Sequence, residues 1–161
     1  MVKDQIRPFF QKIHLHRPIG FVVIEDNAMS RDTVSSEIRG RVSVIDVASR
    51  NILAMIEFAV PGIALELLQP VGVQLMRDGK RAFAALGPAN RVAEVDQQTF
   101  EVRRYYLVGQ RVWHLALSLD ESRLYTTNGN SSDLSVIDLR NDTVIKSIPT
   151  GRAPRGMVGA P

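Results

Sequence analysis

The sequence predicts an all-β chain built from repeated four-stranded antiparallel sheets, and three observations predict it. Apolar, β-branched runs close on an aspartate at Asp46 (RVSVID), Asp96 (RVAEVD) and Asp138 (LSVID). Turn residues recur in one register: Asp78 and Asp120, Gly87 and Gly129, and Gly109 and Gly151 each stand 42 positions apart. The triplet Pro-x-Gly recurs as Pro18–Gly20, Pro70–Gly72 and Pro154–Gly156, with Val112–His114 at the remaining 42-residue step. So many turn residues and apolar runs in a single register identify an internal repeat, the feature to be sought before any individual site.

Each unit has the same internal order. After the Pro-x-Gly position comes an apolar segment, GVQLM at 72–76 or HLALS at 114–118. A polar turn follows, RDGK at 77–80 or LDES at 119–122, and Asp-Gly is a strong hairpin signal. The second segment is RAFAALG at 81–87 or RLYTTNG at 123–129. The third ends on the recurring aspartate, and the fourth is FEVRRYYLV or TVIKSIP. Short runs with period-two alternation between turn residues read as strands. The units span about 18–58, 70–109 and 112–150, with strand-like ends at 8–16 and 155–160.

A four-stranded sheet of this length cannot bury both faces alone. Stacking successive sheets face to face buries them, and each repeat then becomes a blade of a β-propeller. The spacing lies in the range of propeller blades. Gly72, Gly109, Gly151 and Gly156 are expected to serve the crowded corners, where glycine permits close backbone approach. Asp46, Asp96 and Asp138 are expected to accept backbone hydrogen bonds at strand ends and fix the turns that follow.

These positions resemble the YVTN-type β-propeller repeat. The resemblance rests on Val42–Asp46, Asp78–Phe83, Gly87 and the Thr150–Gly156 run, with LYTTN at 124–128 in the name-giving segment. It is strongest over 70–160, moderate over 18–56 and weak over 1–17. It implies bacterial or archaeal relatives that are often secreted, periplasmic or surface-associated, some of them beside quinone-dependent or haem-containing oxidation systems. Two segments depart from the pattern. About eight extra residues separate Asp46 from Pro70, and IALELL at 63–68 suits a short helical turn. In NAMSRDTVSSEIRG, 27–40, the second strand is poorly marked and a rim loop is expected.

About three blades with incomplete terminal strands make an unfinished ring, since closed propellers need at least four. The chain is a fragment or shortened relative of a larger propeller, closes with another copy, or forms a compact ring with its end strands. Large uncovered apolar faces imply partners.

Composition removes several function classes. The 161 residues contain no cysteine, which excludes disulfides, thiolate nucleophiles and Cys-ligated metals. Net charge is only +3, and the arginines are scattered rather than gathered in a stripe, so no nucleic-acid partner is expected. The first apolar run, at 19–24, is far too short to span a bilayer, and no signal peptide or transmembrane segment is visible. The compartment expected is periplasmic or extracellular if the resemblance holds and the N-terminus is truncated, and otherwise cytoplasmic.

Candidate chemistry is sparse. There is no Walker loop, dinucleotide fingerprint, nucleophile elbow or zinc-protease motif, so no catalytic residue is assigned. His14 and His16 share one face of a strand and could meet His114 through the fold as a metal site; polar strand and corner residues explain them more simply. Trp113, His114 and Arg155 are the residues expected to face a ligand. Aromatic packing between blades competes with that role for Trp113 and Tyr125. Arg103 and Arg104 suit a charged, solvated edge strand. The function expected is a non-catalytic interaction or scaffold module whose partner is a protein, missing blades or a second copy, with no cofactor. The alternative is the propeller part of a quinone- or haem-associated oxidoreductase, with a haem, quinone or divalent metal.

Overall fold

The computed structural model describes residues 20–23, 31–36, 40–46 and 51–157. Among them the chain is all-β, arranged as three four-stranded antiparallel sheets. The first sheet is β1 (Gly20–Val23), β2 (Arg31–Ser36), β3 (Arg41–Asp46) and β4 (Ile52–Glu57). The second is β5 (Gly72–Leu75), β6 (Arg81–Ala85), β7 (Arg91–Asp96) and β8 (Val102–Leu107). The third is β9 (Val112–Leu117), β10 (Arg123–Asn128), β11 (Asp133–Asp138) and β12 (Thr143–Pro149). Each sheet is a meander in which sequence neighbours pair. The strand-like run expected at 8–16 lies outside the described residues, as do 158–160 of the run expected at 155–160, and Arg155–Met157 form no strand.

The sheets stack in chain order. The first strand of the third sheet, β9, lies beside β5 and β6, and β5 lies beside β2. Two apolar cores fill the gaps. Val42, Val44, Ile56 and Phe58 of the first sheet and its exit pack on Val73, Ala82, Ala84, Ala93 and Val95 of the second. Phe83, Ala85, Val92 and Tyr106 of the second pack on Val112, Leu115, Leu124 and Ile137 of the third.

Period two decides which core each residue enters. In β6, Ala82 and Ala84 face the first sheet while Phe83 and Ala85 face the third. A strand covered on both faces needs a continuous apolar run, and RAFAA supplies one. Its alanines let the flanking sheets approach closely. Full burial of a side chain such as Phe83 is worth about 1.5–3 kcal/mol.

The inserted segment before β5 folds as a one-turn 3₁₀ helix, Leu65–Leu67, where a helical turn was expected. The poorly marked second strand expected within 27–40 is β2, Arg31–Ser36, in the middle of the first sheet, and the rim loop expected there falls on 27–30 and 37–39, outside the described residues. The backbone of β2 pairs on both sides, with β1 and with β3. Interior position in a ladder, rather than side-chain alternation, makes that segment a strand.

Every sheet carries an irregularity at the same place. The pairing of the third strand with the fourth shifts between Val44 and Ile45, between Glu94 and Val95, and between Val136 and Ile137. Bulges of this kind bend the outer strand and raise its twist.

Candidate functional site

The recurring aspartates build turns. Asp96 Oδ1 accepts from the backbone N–H groups of Gln98 at 2.7 Å and Thr99 at 3.1 Å. Asp138 Oδ1 accepts from Arg140 N–H at 2.8 Å and Asn141 N–H at 3.3 Å. These bonds hold both carboxyls below the usual carboxylate range, Asp96 through its backbone donors and Asp138 through Asn141 and Arg140. Asp46, at the same position of the first sheet, donates its own N–H to Asn51 O at 2.9 Å.

The linker between the second and third sheets is latched by a polar cradle. Gly109 N–H donates to Ser135 Oγ at 3.2 Å, and Gln110 N–H donates to Ser131 Oγ at 2.8 Å. Asn128 Nδ2 bridges Asp133 Oδ1 and Ser135 Oγ. A Cβ on Gly109 would lie 2.5 Å from both Asp133 Oδ1 and Ser131 Oγ, so only glycine fits. Gly72 answers a different demand: a Cβ there would lie 2.7 Å from Trp113 O, where the inner strands β5 and β9 approach. A Cβ added at Gly151 or Gly156 would meet nothing within 4 Å among the described residues.

A second polar cluster crosses from the second sheet to the third, and nothing in the sequence announced it. Glu94 is 1% exposed and forms a two-point pair with Arg81, with both N–O distances 2.9 Å. Tyr106 Oη donates to Glu94 at 2.7 Å. Asp142, from the turn before β12, meets Arg81 at 2.8 Å and Arg104 at 2.7 Å. Arg81 also donates to Leu139 O. Burial opposes the Arg81 charge, but its bonds to Glu94 raise its pKa further; burial and then Glu94 push the Tyr106 phenol well up. Two carboxylates and two guanidiniums satisfy one another here, which fits a clamp between sheets.

The residues expected to face a ligand converge in part. Trp113 sits in β9 with its indole edge against Gly129. The guanidinium carbon of Arg155 lies 5.8 Å from the ring centroid, and that of Arg111 lies 4.7 Å from it. Both distances are within cation–π range. Arg111 is the member that sequence reasoning missed, although Arg-Val-Trp put it two positions before the indole. It is pinned at the corner because its N–H donates to Asn90 Oδ1 at 2.7 Å and its carbonyl accepts from Gly129 N–H at 2.9 Å.

His114 follows Trp113 and, by strand alternation, points to the other face. It is exposed, and its N–H donates to Thr127 Oγ1 at 3.1 Å. His14 and His16 lie outside the described residues, among which no group of three His, Asp or Glu side chains is placed to hold a metal. Arg103 and Arg104 are engaged, with Asp96 and with Glu94 and Asp142 respectively. Arg111 and Arg155 pair with no carboxylate among the described residues. The corner therefore presents two cations and an aromatic face.

No protein-family model and no curated protein sequence matches the chain. Solved structures do. The fold is that of part of a β-propeller. A chain of the Kuenenia stuttgartiensis hydrazine synthase is 19% identical, with a TM-score of 0.70 over 78% of this chain and 34% of that one. The structure of U3-55K is 16% identical, with a TM-score of 0.65 over 77% and 37%. The RRP9 WD40 repeats are 15% identical, with a TM-score of 0.66 over 77% and 36%. At these identities the likeness concerns the fold, and the chain spans about a third of the length of each. No helix among the described residues is long and apolar enough to cross a membrane.

Proposed function

We propose that this chain is a non-catalytic interaction module built of YVTN-type propeller repeats, and that it takes an acidic segment of a partner protein at the corner formed by Arg111, Trp113 and Arg155. One observation carries the reading. Two guanidiniums stand over a single indole and neither meets a carboxylate among the described residues, whereas Arg81, Arg103 and Arg104 are all consumed by internal pairs. Charge-assisted bonds from guanidinium to carboxylate are among the stronger polar contacts. The indole gives the bound segment an apolar floor, and the backbone bonds of Arg111 to Asn90 and Gly129 fix the corner.

The test is a calorimetric titration of the chain with hexaglutamate at low salt. Saturable heat is expected, and an affinity reduced roughly tenfold or more in Arg111→Ala with Arg155→Ala, since 1.4 kcal/mol is a factor of ten. No heat, or equal heat from the double variant, would remove the acidic-segment reading.

A second reading has one supporting observation, the fold likeness to a chain of hydrazine synthase. Under it the module is the propeller part of a quinone- or haem-associated oxidoreductase, and Trp113 and Arg155 would contact the cofactor. His114 points away from that corner. A visible absorbance band in protein purified from its native host would favour this reading over the first.

A further inference from the structure

The interface between the second and third sheets is a template for a contact that the described residues leave unmade. Both linkers leave their sheets the same way: Val108 N–H donates to Asn90 O at 3.1 Å, and Thr150 N–H donates to Ser132 O at 3.0 Å. Each next residue is a glycine. Gly109 drops into the cradle of the following sheet and bonds Ser135. A Cβ added at Gly151 would meet nothing within 4 Å among the described residues.

The outgoing face of the third sheet is equally incomplete. Tyr125 and Ile148 stand 42 positions after Phe83 and Tyr106. Phe83 and Tyr106 are buried against the third sheet, whereas Tyr125 is half-buried and Ile148 is 37% exposed.

The first sheet carries the matching incoming face. Counting back from the recurring aspartates, Ser43 takes the place of Ser135, and Ile45 takes the place of Val95 and Ile137. Val95 and Ile137 are buried by the preceding sheet, while Ile45 is only half-buried. Met55 pairs with Ser43 as Tyr105 pairs with Ala93. Tyr105 packs on the first sheet and its Oη accepts from Ala59 N–H at 3.0 Å, but Met55 is 58% exposed. The Ser43 side chain has no hydrogen bond among the described residues.

We propose that these two faces cover each other between two copies of this chain, head to tail, so that six sheets close one ring. Gly151 N–H of each copy donates to the Ser43 hydroxyl of the other, as Gly109 does to Ser135. Tyr125 and Ile148 pack on Ile45 and Met55. The repeat makes the pair complementary by construction: each surface has its buried counterpart inside the same chain, and two such contacts close on themselves. This inference does not depend on the acidic-segment reading, and its test uses no acidic ligand.

The test is absolute mass by light scattering after size exclusion, over a wide concentration range. The intact chain is expected at twice 17.9 kDa. Gly151→Leu and, separately, Met55→Glu are expected at 17.9 kDa with unchanged circular dichroism. Both positions are open among the described residues, so neither substitution disturbs the packing within one chain that they show. Because the chain has no cysteine, Ser43→Cys combined with Gly151→Cys is expected to give a disulfide-linked dimer on mild oxidation. A monomer at every concentration, a spread of larger masses, a dimer that survives either substitution, or no cross-link would each overturn the proposal.

Discussion

The backbone N–H of Gly109 lies 3.2 Å from Ser135 Oγ, across 26 residues and from one sheet to the next. That contact joins the linker to the blade it enters, and the space around it excludes any side chain at position 109. Gly109→Val is expected to destabilise the fold by about 1–3 kcal/mol, the usual cost of overpacking. The urea midpoint measures it, and a change below about 0.5 kcal/mol, the level of an ordinary surface substitution, would remove the latch from the account.

The Glu94–Arg81 pair should matter far more than its surface counterparts. Glu94→Ala leaves Arg81 half-buried without its main partner, and breaking such a pair costs about 3–5 kcal/mol. Asp120→Ala breaks the exposed contact to Arg140 and the turn-forming bonds to Ser118 and Ser122, all at the surface, and should cost much less. Denaturant midpoints of the two variants should therefore rank clearly, with Glu94→Ala the lower.

Acid should unfold the chain through its turn aspartates. Asp96, Asp120 and Asp138 are held below the ordinary carboxylate range by donors from their own turns. A depressed folded pKa contributes stability that is fully present above the unfolded value of about 3.9 and is lost as pH falls through the folded one. Unfolding free energy should be level near neutrality and decline below about pH 4. Asp138→Asn should flatten part of that decline, and a curve identical to the unsubstituted chain would contradict the role given to Asp138.

Alkali tests the clamp from the other side. Burial, followed by Glu94, raises the Tyr106 phenol, and burial raises Tyr105. A raised phenol favours the folded state below its unfolded pKa of about 10, and that contribution fades as pH climbs further. Ultraviolet titration of the folded chain should show Tyr106 still protonated where a free phenol is ionised. A Glu94→Gln variant should ionise it earlier.

What the sequence made legible was local. Turn aspartates bond within three residues of themselves, so Asp96 and Asp138 are readable from spacing and chemistry. β6 is readable because burial on both faces demands an apolar run. β2 was not, because a strand paired on both sides can be polar and still hold through its backbone. The Glu94 clamp was not either: Arg81 and Asp142 are 61 residues apart, and only the stacking of two sheets unites them. Arg111 was half visible, two positions before a tryptophan already singled out, but its lack of a carboxylate partner among the described residues is a fact of three dimensions.

The acidic-segment corner is tested most directly by the emission of Trp113, the single tryptophan of the chain. Hexaglutamate should change that emission saturably, hexalysine should not, and added salt should weaken the response as screening shortens the reach of the two arginines. An emission unmoved by hexaglutamate, or moved equally by both peptides, would contradict the account.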